Sequence, residues 1–279
     1  LSENIISLFV FWELTSISSF FLIGFNNDNP ASRKSALTAL GITGIGGLLL
    51  LAGGIVLGNI SGTYNISEML ANRDLILGHE YYILAACLIF GAAFTKSAQF
   101  PFHFWLPGAM KAPTPVSTYL HSATMVKAGV YLLFRLSPVM GGTDFWNTTL
   151  TIVGLVTMVY SAFHALFRTD MKGILAYSTI SALGILVFLI GLGTHESFLA
   201  AAVFIIVHAL YKATLFLITG AVDHQAKSRD VTQLSGLRKV MPIVAIAALL
   251  AAISNAGIPP SVGFVGKDLI YEGTLHMEN

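Results

Sequence analysis

Seven residues of this 279-residue chain place ionisable side chains in apolar surroundings: Glu13, Lys96, His121, Lys127, His208, Lys212 and Lys267. The chemistry open to such a set is proton transfer. A carboxylate, an imidazole and an ammonium all exchange protons, whereas a guanidinium keeps its own. The four cations that fall within apolar stretches are all lysines and none is an arginine. Each charged group at mid-membrane costs roughly 2.5–3.5 kcal/mol on insertion scales, which makes four inert lysines a poor explanation. His208 lies four residues before Lys212, on the same face of a helix. In "HSATMVKAGVYLL", His121 and Lys127 are six residues apart. A continuous helix sets them about 120° apart around its axis and about 9 Å apart along it. They cannot share a proton directly, and Thr124, three residues from each, is the expected holder of a bridging water. His103 and His164, near Pro101 and a span end, read as structural histidines, and Asp268 and Glu272 as solvated carboxylates.

The elements that must position these groups are membrane helices. Hydrophobic residues make up 55% of the chain and charged residues only 10%, with a mean hydropathy of +0.76, too little polar material to cover a soluble globule. A membrane crossing needs about 20 mostly apolar residues. Such stretches occur near 4–25, 36–58, 81–109, 115–137, 145–167, 172–193, 197–221 and 242–275, so the sequence predicts about eight transmembrane helices. Alternating strands of a membrane barrel are absent, and the fold class is an all-α polytopic membrane protein. A net charge of +1 with scattered loop charges gives no basic surface for nucleic acid. Cys87, the single cysteine, sits in an apolar run and reads as a buried structural thiol. The chain has no initiator methionine and starts at a span entrance, as an internal piece of a longer protein would.

Taking alternate loops, Arg33, Lys34, Lys111, Arg168, Lys172, Lys227, Arg229, Arg238 and Lys239 fall on one side, and Arg73 and Arg135 on the other. By the positive-inside rule the first side is cytoplasmic and both ends of this piece face outward. Spans 81–109 and 242–275 are too long for one crossing and carry Pro101 and Pro259-Pro260, so both are predicted to be discontinuous. Each break has a lysine nearby, Lys96 or Lys267. The two are five spans apart, and an odd shift reverses direction, which is the pattern of an inverted repeat.

"TKSAQFPFHFWLPGAMKAPTPVSTYLHSATMVKAGVYLL", "RTDMKGILAYSTISALG", "HALYKATLFLITGAV" and "GIPPSVGFVGKD" together resemble the core of the proton-antiporter family. That family includes the large subunits of Mrp-type multisubunit Na+/H+ antiporters and the antiporter-like subunits of respiratory complex I. The resemblance implies one transmembrane antiporter domain over 1–279, with 1–140 the end of a first inverted repeat and 141–279 most of a second. It also implies an ion pair between Glu13 and Lys96, a relay histidine at His121, a central relay at His208 and Lys212, and a lysine of the second broken helix at Lys267. Relatives often carry a second histidine where this chain has Phe204. Lys127, in "SATMVKAG", resembles the Mrp proteins, since the nearest complex I relative commonly has threonine there. The implied activity is that of a secondary transporter, not an enzyme, coupling protons to Na+ or another monovalent cation. Its partners would be the other subunits of a multisubunit Na+/H+ antiporter in the cell membrane, with no cofactor and no bound metal. The alternative is a proton-pumping component of complex I.

Overall fold

The computed structural model describes residues 2–275. In chain order its helices are α1 (Ile5–Ile23), α2 (Pro30–Ser61), α3 (Ile66–Ala71), α4 (Arg73–Leu77), α5 (Tyr82–Lys96), α6 (Trp105–Ala109), α7 (Thr114–Thr118), α8 (Lys127–Met140), α9 (Asp144–Leu166), α10 (Met171–Leu192), α11 (His195–Ala226), α12 (Leu237–Val240), α13 (Pro242–Ala256) and α14 (Val262–Leu275). A 3-10 turn, Phe102–Phe104, precedes α6, and a π-helical turn, Tyr119–Ala123, follows α7. The fold is all-α, and among the described residues the only β pairing is two isolated bridges, Asn4 with Asn65 and Asp170 with Asp230.

Polar side chains set where the long helices begin. Asn4 accepts from the N–H groups of Ile6 and Ser7 at the start of α1. Asn29 caps α2, whose first residue is Pro30, and Thr143 and Asp170 cap α9 and α10. Thr194 and Ser197 form a reciprocal capping box on α11. Each takes up an N–H that the helix itself leaves unpaired.

Five helices, α1, α2, α9, α10 and α11, are long and apolar enough to cross a membrane unbroken. The three remaining expected spans are interrupted, one more than the prolines indicated. In span 81–109, α5 ends at Lys96 and the chain breaks over Ser97–Pro101, with Ala98 in the left-handed region at φ 51°. In span 242–275, α13 ends at Ala256 and α14 starts at Val262 beyond Gly257, φ 73°. The unanticipated break lies in span 115–137, where α7, the π turn and α8 are separate pieces and Thr124 has φ −117° and ψ −91°. No proline marks it. The Ser122 hydroxyl donates to the Thr118 carbonyl, and the Thr124 hydroxyl donates to the Tyr119 carbonyl at 2.8 Å. These hydroxyls take up two carbonyls where the helical ladder widens to a π turn and then stops.

Two further expectations are overturned. Cys87 is exposed rather than buried, on the outward side of α5, because the inward side is taken by Ala85, Ala86, Ile89 and Phe90. Lys172, counted with the loop cations, is the second residue of α10 and only 2% exposed. A helix begins earlier than hydropathy suggests because Asp170 caps it, and the first turn is drawn into the bundle. At the end of the molecule where α1 begins, Glu3 pairs with Arg135 at 2.8 Å and accepts from the Ser67 N–H at 2.7 Å. The hydrogen bonds from Ser67 and the Arg135 charge hold this exposed carboxyl below the usual carboxylate range.

Candidate functional site

Two of the broken spans deliver Lys96 and Lys127 to the bundle interior. Lys96, the last residue of α5, is fully buried, and its side chain crosses to α1. There its ammonium donates to the Trp12 carbonyl at 3.1 Å and the Ser16 hydroxyl at 2.7 Å, and lies 5.2 Å from the Trp12 ring centroid. The expected ion pair with Glu13 is not formed. Among the described residues the only ion pairs within 4.0 Å are Arg135–Glu3, Arg229–Asp170 and Arg229–Asp223. Glu13 follows Trp12 on α1 and its charge still reaches Lys96, but its carboxyl turns toward α2. A Cβ on Gly47 would sit 1.5 Å from Glu13 Oε1, so only glycine leaves that carboxyl its place. Oε1 is buried and has no protein hydrogen-bond partner.

The break after Lys96 is itself satisfied. The Trp105 indole donates to the Thr95 carbonyl at 2.9 Å, and the Phe100 N–H donates to the Thr157 hydroxyl at 3.0 Å. α8 packs directly against this break. A Cβ on Gly129 would lie 2.3 Å from the Ala93 carbonyl oxygen and 2.9 Å from Ser97 Cβ, so the glycine of "KAGVYLL" lets α8 approach the end of α5. Lys127, two residues earlier, therefore starts α8 beside the end of α5.

His121 and Lys127 do not share a straight helix, so the separation expected for one does not apply. The Thr124 hydroxyl donates to the Tyr119 carbonyl at the break between them. Lys127 is 6% exposed and donates to the Ile205 carbonyl of α11 at 2.8 Å, three residues before His208. His208 is fully buried and within electrostatic reach of both Lys127 and Lys212. Lys212, 1% exposed, donates to the Ser178 hydroxyl of α10 at 2.5 Å. His121 lies within reach of Lys172 instead and packs near Trp105, ring centroids 6.4 Å apart. Lys172 donates at 2.8 Å to the carbonyl of Ala112, in the connection between α6 and α7.

Both ring nitrogens of His121 and both of His208 are buried without a protein hydrogen-bond partner. A buried polar group is normally paired, so four such atoms in two histidines mark places where the protein withholds a partner. Phe204, one helical turn before His208, packs on it with ring centroids 5.9 Å apart. Lys267 is only partly buried, and its ammonium donates at 3.0 Å to the Ala256 carbonyl across the α13–α14 break. His164 fits its structural reading, with Nδ1 2.9 Å from the Tyr160 carbonyl.

The structure therefore joins Lys96 to α1, Lys127 to the His208 region and Lys212 to α10, and ties Lys267 across its own break to Ala256. Sequence reasoning missed Lys172, Ser16 and Ser178. The signal for Lys172 was present in "RTDMKGILAYS", where an aspartate cap places the lysine in a first helical turn rather than a loop.

Comparison with known proteins bears on these positions. Residues 2–279 match the family described as NADH:quinone oxidoreductase/Mrp antiporter, TM. A relative from Rhizobium meliloti (strain 1021), a probable K(+)/H(+) antiporter A/B subunit, is 50% identical over 281 residues, covering 100% of this chain and 28% of its own. The A subunit of the Na(+)/H(+) antiporter of Bacillus subtilis (strain 168) is 45% identical over 288 residues, 99% of this chain and 36% of its own. The structure of the Mrp complex from Dietzia sp. DQ12-45-1b contains a chain with a TM-score of 0.93 and 45% identity, covering 99% of this chain and 30% of that one. A chain of the archaeal membrane-bound sulfane sulfur reductase, a respiratory complex, gives 0.90 at 26% identity, covering 100% of this chain and 57% of that one. The chain thus spans about a third of the length of the antiporter relatives it matches.

Proposed function

The chain belongs to the NADH:quinone oxidoreductase/Mrp antiporter transmembrane family, and from that premise we propose that it is the proton-conducting part of the large subunit of a multisubunit Na+/H+ antiporter. The observation that carries the reading is the row of buried lysines, each on a different helix and each holding neutral oxygen, with the unpartnered His208 between Lys127 and Lys212. Lys96 holds Trp12 and Ser16, Lys172 holds Ala112, Lys127 holds Ile205 and Lys212 holds Ser178. An ammonium bound to a carbonyl or hydroxyl, with no carboxylate against it, has nothing that locks its proton in place.

In this reading a proton enters the row at Lys96, next to Glu13. It passes where α5 meets α8 to Lys127, then to the His208 imidazole, then to Lys212 and on to Lys267. His121, on the π turn after α7, and Lys172, which holds the connection between α6 and α7, form a side station. Charge on one lysine disfavours charge on the next, so occupancy alternates along the row and can be driven by cation movement elsewhere in the assembly. Water bridges the gaps.

The two antiporter relatives are 45–50% identical to this chain, against 26% for the chain of the respiratory complex, which favours the antiporter over the redox alternative. The relatives' names include both Na+ and K+. With Lys172 removed from the loop count, eight cations against two still favour a cytoplasmic side for Arg33 and Lys239. The inverted repeats, 1–140 and 141–279, and the outward-facing ends belong to the same proposal, as do the other antiporter components as partners. The test is proteoliposomes containing the full-length protein in its complex, with Na+-driven proton movement read by a pH-sensitive dye. Lys127→Met should assemble and lose exchange, and exchange at the unmodified rate would remove the row from the mechanism.

A further inference from the structure

The end of the bundle that carries Arg73 holds a second arrangement, lined by none of the lysines of the row. A cavity of about 250 Å³ lies where α8 ends, α9 begins, α10 ends and α11 begins, lined by Arg73, Ser137, Gly142, Trp146, Asn147 and Gly193 among others. That is several times the roughly 30 Å³ share of one water. Arg73 reaches in from α4 and donates through Nη2 to the Gly141 carbonyl at 2.5 Å, while its buried Nε has no partner. Trp146 is fully buried, its ring packs 4.8 Å from that of Phe90, and its Nε1 has no partner either. The Asn147 side-chain oxygen accepts from the Gly142 N–H at 3.4 Å, which leaves its amide NH2 free. Gly193 keeps the space beside that NH2 open, since a Cβ there would come within 3.1 Å of Nδ2.

The unpartnered buried groups here are donors only, and no carboxylate lines the cavity. The carboxylates in the neighbouring first turns, Asp144 and Glu196, are exposed. The positive ends of α9 and α11 converge on the same place, with Trp146, Asn147 and Phe198 all near their starts. A guanidinium fork with free N–H groups, an indole N–H and two helix starts are matched by an oxyanion.

We propose that this cavity binds a phosphate group, and that the phosphate is the headgroup of an anionic phospholipid. The cavity lies at the end of the bundle opposite the cation-rich loops, at the ends of four helices, which is the level of the headgroups rather than of the acyl chains. Bound there, the headgroup ties α4 to the α8–α9 and α10–α11 connections and fixes the spacing of the helices that carry Lys127 and Lys212.

The experiment uses the full-length protein in its complex, delipidated and titrated by native mass spectrometry with phosphatidylglycerol, phosphatidylcholine or inorganic phosphate. Trp146→Phe keeps the ring against Phe90 and removes one donor, and Arg73→Lys keeps the charge and a donor for Gly141. The protein should retain phosphatidylglycerol over phosphatidylcholine, and each variant should weaken that binding about tenfold, the scale of one hydrogen bond to a charged group. Equal retention of the two lipids, or unchanged binding in Trp146→Phe, overturns the site. Binding of inorganic phosphate that phosphatidylglycerol does not displace overturns the lipid source.

Discussion

Gly47→Ala isolates the role of Glu13 without touching an ionisable group. The new Cβ lands 1.5 Å from Glu13 Oε1 and 2.6 Å from Cδ, whereas ordinary contact starts at 3.4 Å, so the carboxyl must retreat by about 2 Å. α2 cannot yield instead, because its neighbour Gly46 already sits where a Cβ would be 2.0 Å from the Thr95 hydroxyl. The propensity gain of alanine over glycine in a helix, about 1 kcal/mol, offsets part of an overpacking cost of about 1–3 kcal/mol, so the protein should still assemble. If the carboxyl's position sets the proton affinity of Lys96, a 2 Å displacement should slow exchange about tenfold or more, since misplacements of about 1 Å at reacting groups can cost two decades. Gly41→Ala and Gly44→Ala on the same helix are the controls, because nothing lies within 4 Å of either added Cβ. Glu13→Asp shortens the side chain by one methylene, about 1.5 Å, and should recover part of the loss when combined with Gly47→Ala. The assay is Na+-driven proton movement in proteoliposomes with complex assembly checked on a native gel. An assembled Gly47→Ala variant with full activity would refute the reasoning, as would a double variant no better than Gly47→Ala alone.

Three further outcomes follow from the geometry. Lys127 and His208 should couple in a double-mutant cycle of exchange rates by about 0.5–3 kcal/mol, while His121 and Lys127 should combine to within about 0.5 kcal/mol, because they lie on separate helical pieces with different neighbours. Coupling of His121 to Lys127 instead would return the two to a common helix and contradict the break at Thr124. Lys172→Met should reduce exchange although a loop lysine would be dispensable, and normal activity would leave Lys172 as an anchor for Ala112 alone. Ser178→Ala removes the hydroxyl that Lys212 holds and should lower exchange by roughly tenfold, the scale of one hydrogen bond to a charged group, with assembly unchanged.

Much of the architecture could be read from the chain because lipid imposes simple rules. Apolar runs of spanning length found the five unbroken helices, and prolines found two of the three broken ones. The third break was hidden because no proline marks it, and Ser122 and Thr124, whose hydroxyls take up carbonyls there, look like ordinary helical residues in the sequence. The same omission spoiled the expected geometry of His121 and Lys127, which assumed one straight helix. Lys172 was misplaced because hydropathy locates a span to within a few residues, and its buried position depends on an aspartate cap. The expected Glu13–Lys96 contact failed for a different reason. Both residues were correctly picked out as ionisable groups inside spans, but which neighbour each prefers is decided by α2, where Gly47 opens room for the carboxyl. Partners such as the Ile205 carbonyl and Ser178 are set by packing between helices far apart in sequence, which spacing alone does not encode.

If the buried lysines release and rebind protons, Lys212→Arg should stop the movement of protons. Arginine keeps the charge and can still donate to the Ser178 hydroxyl, but it does not give up its proton in proteins. Proton movement should be followed in proteoliposomes across a pH series, with assembly of the complex measured in parallel. The complex should assemble, and its Na+-driven proton movement should be abolished at every pH. Wild-type movement in the Lys212→Arg complex would show instead that the lysines supply charge alone and pass no protons.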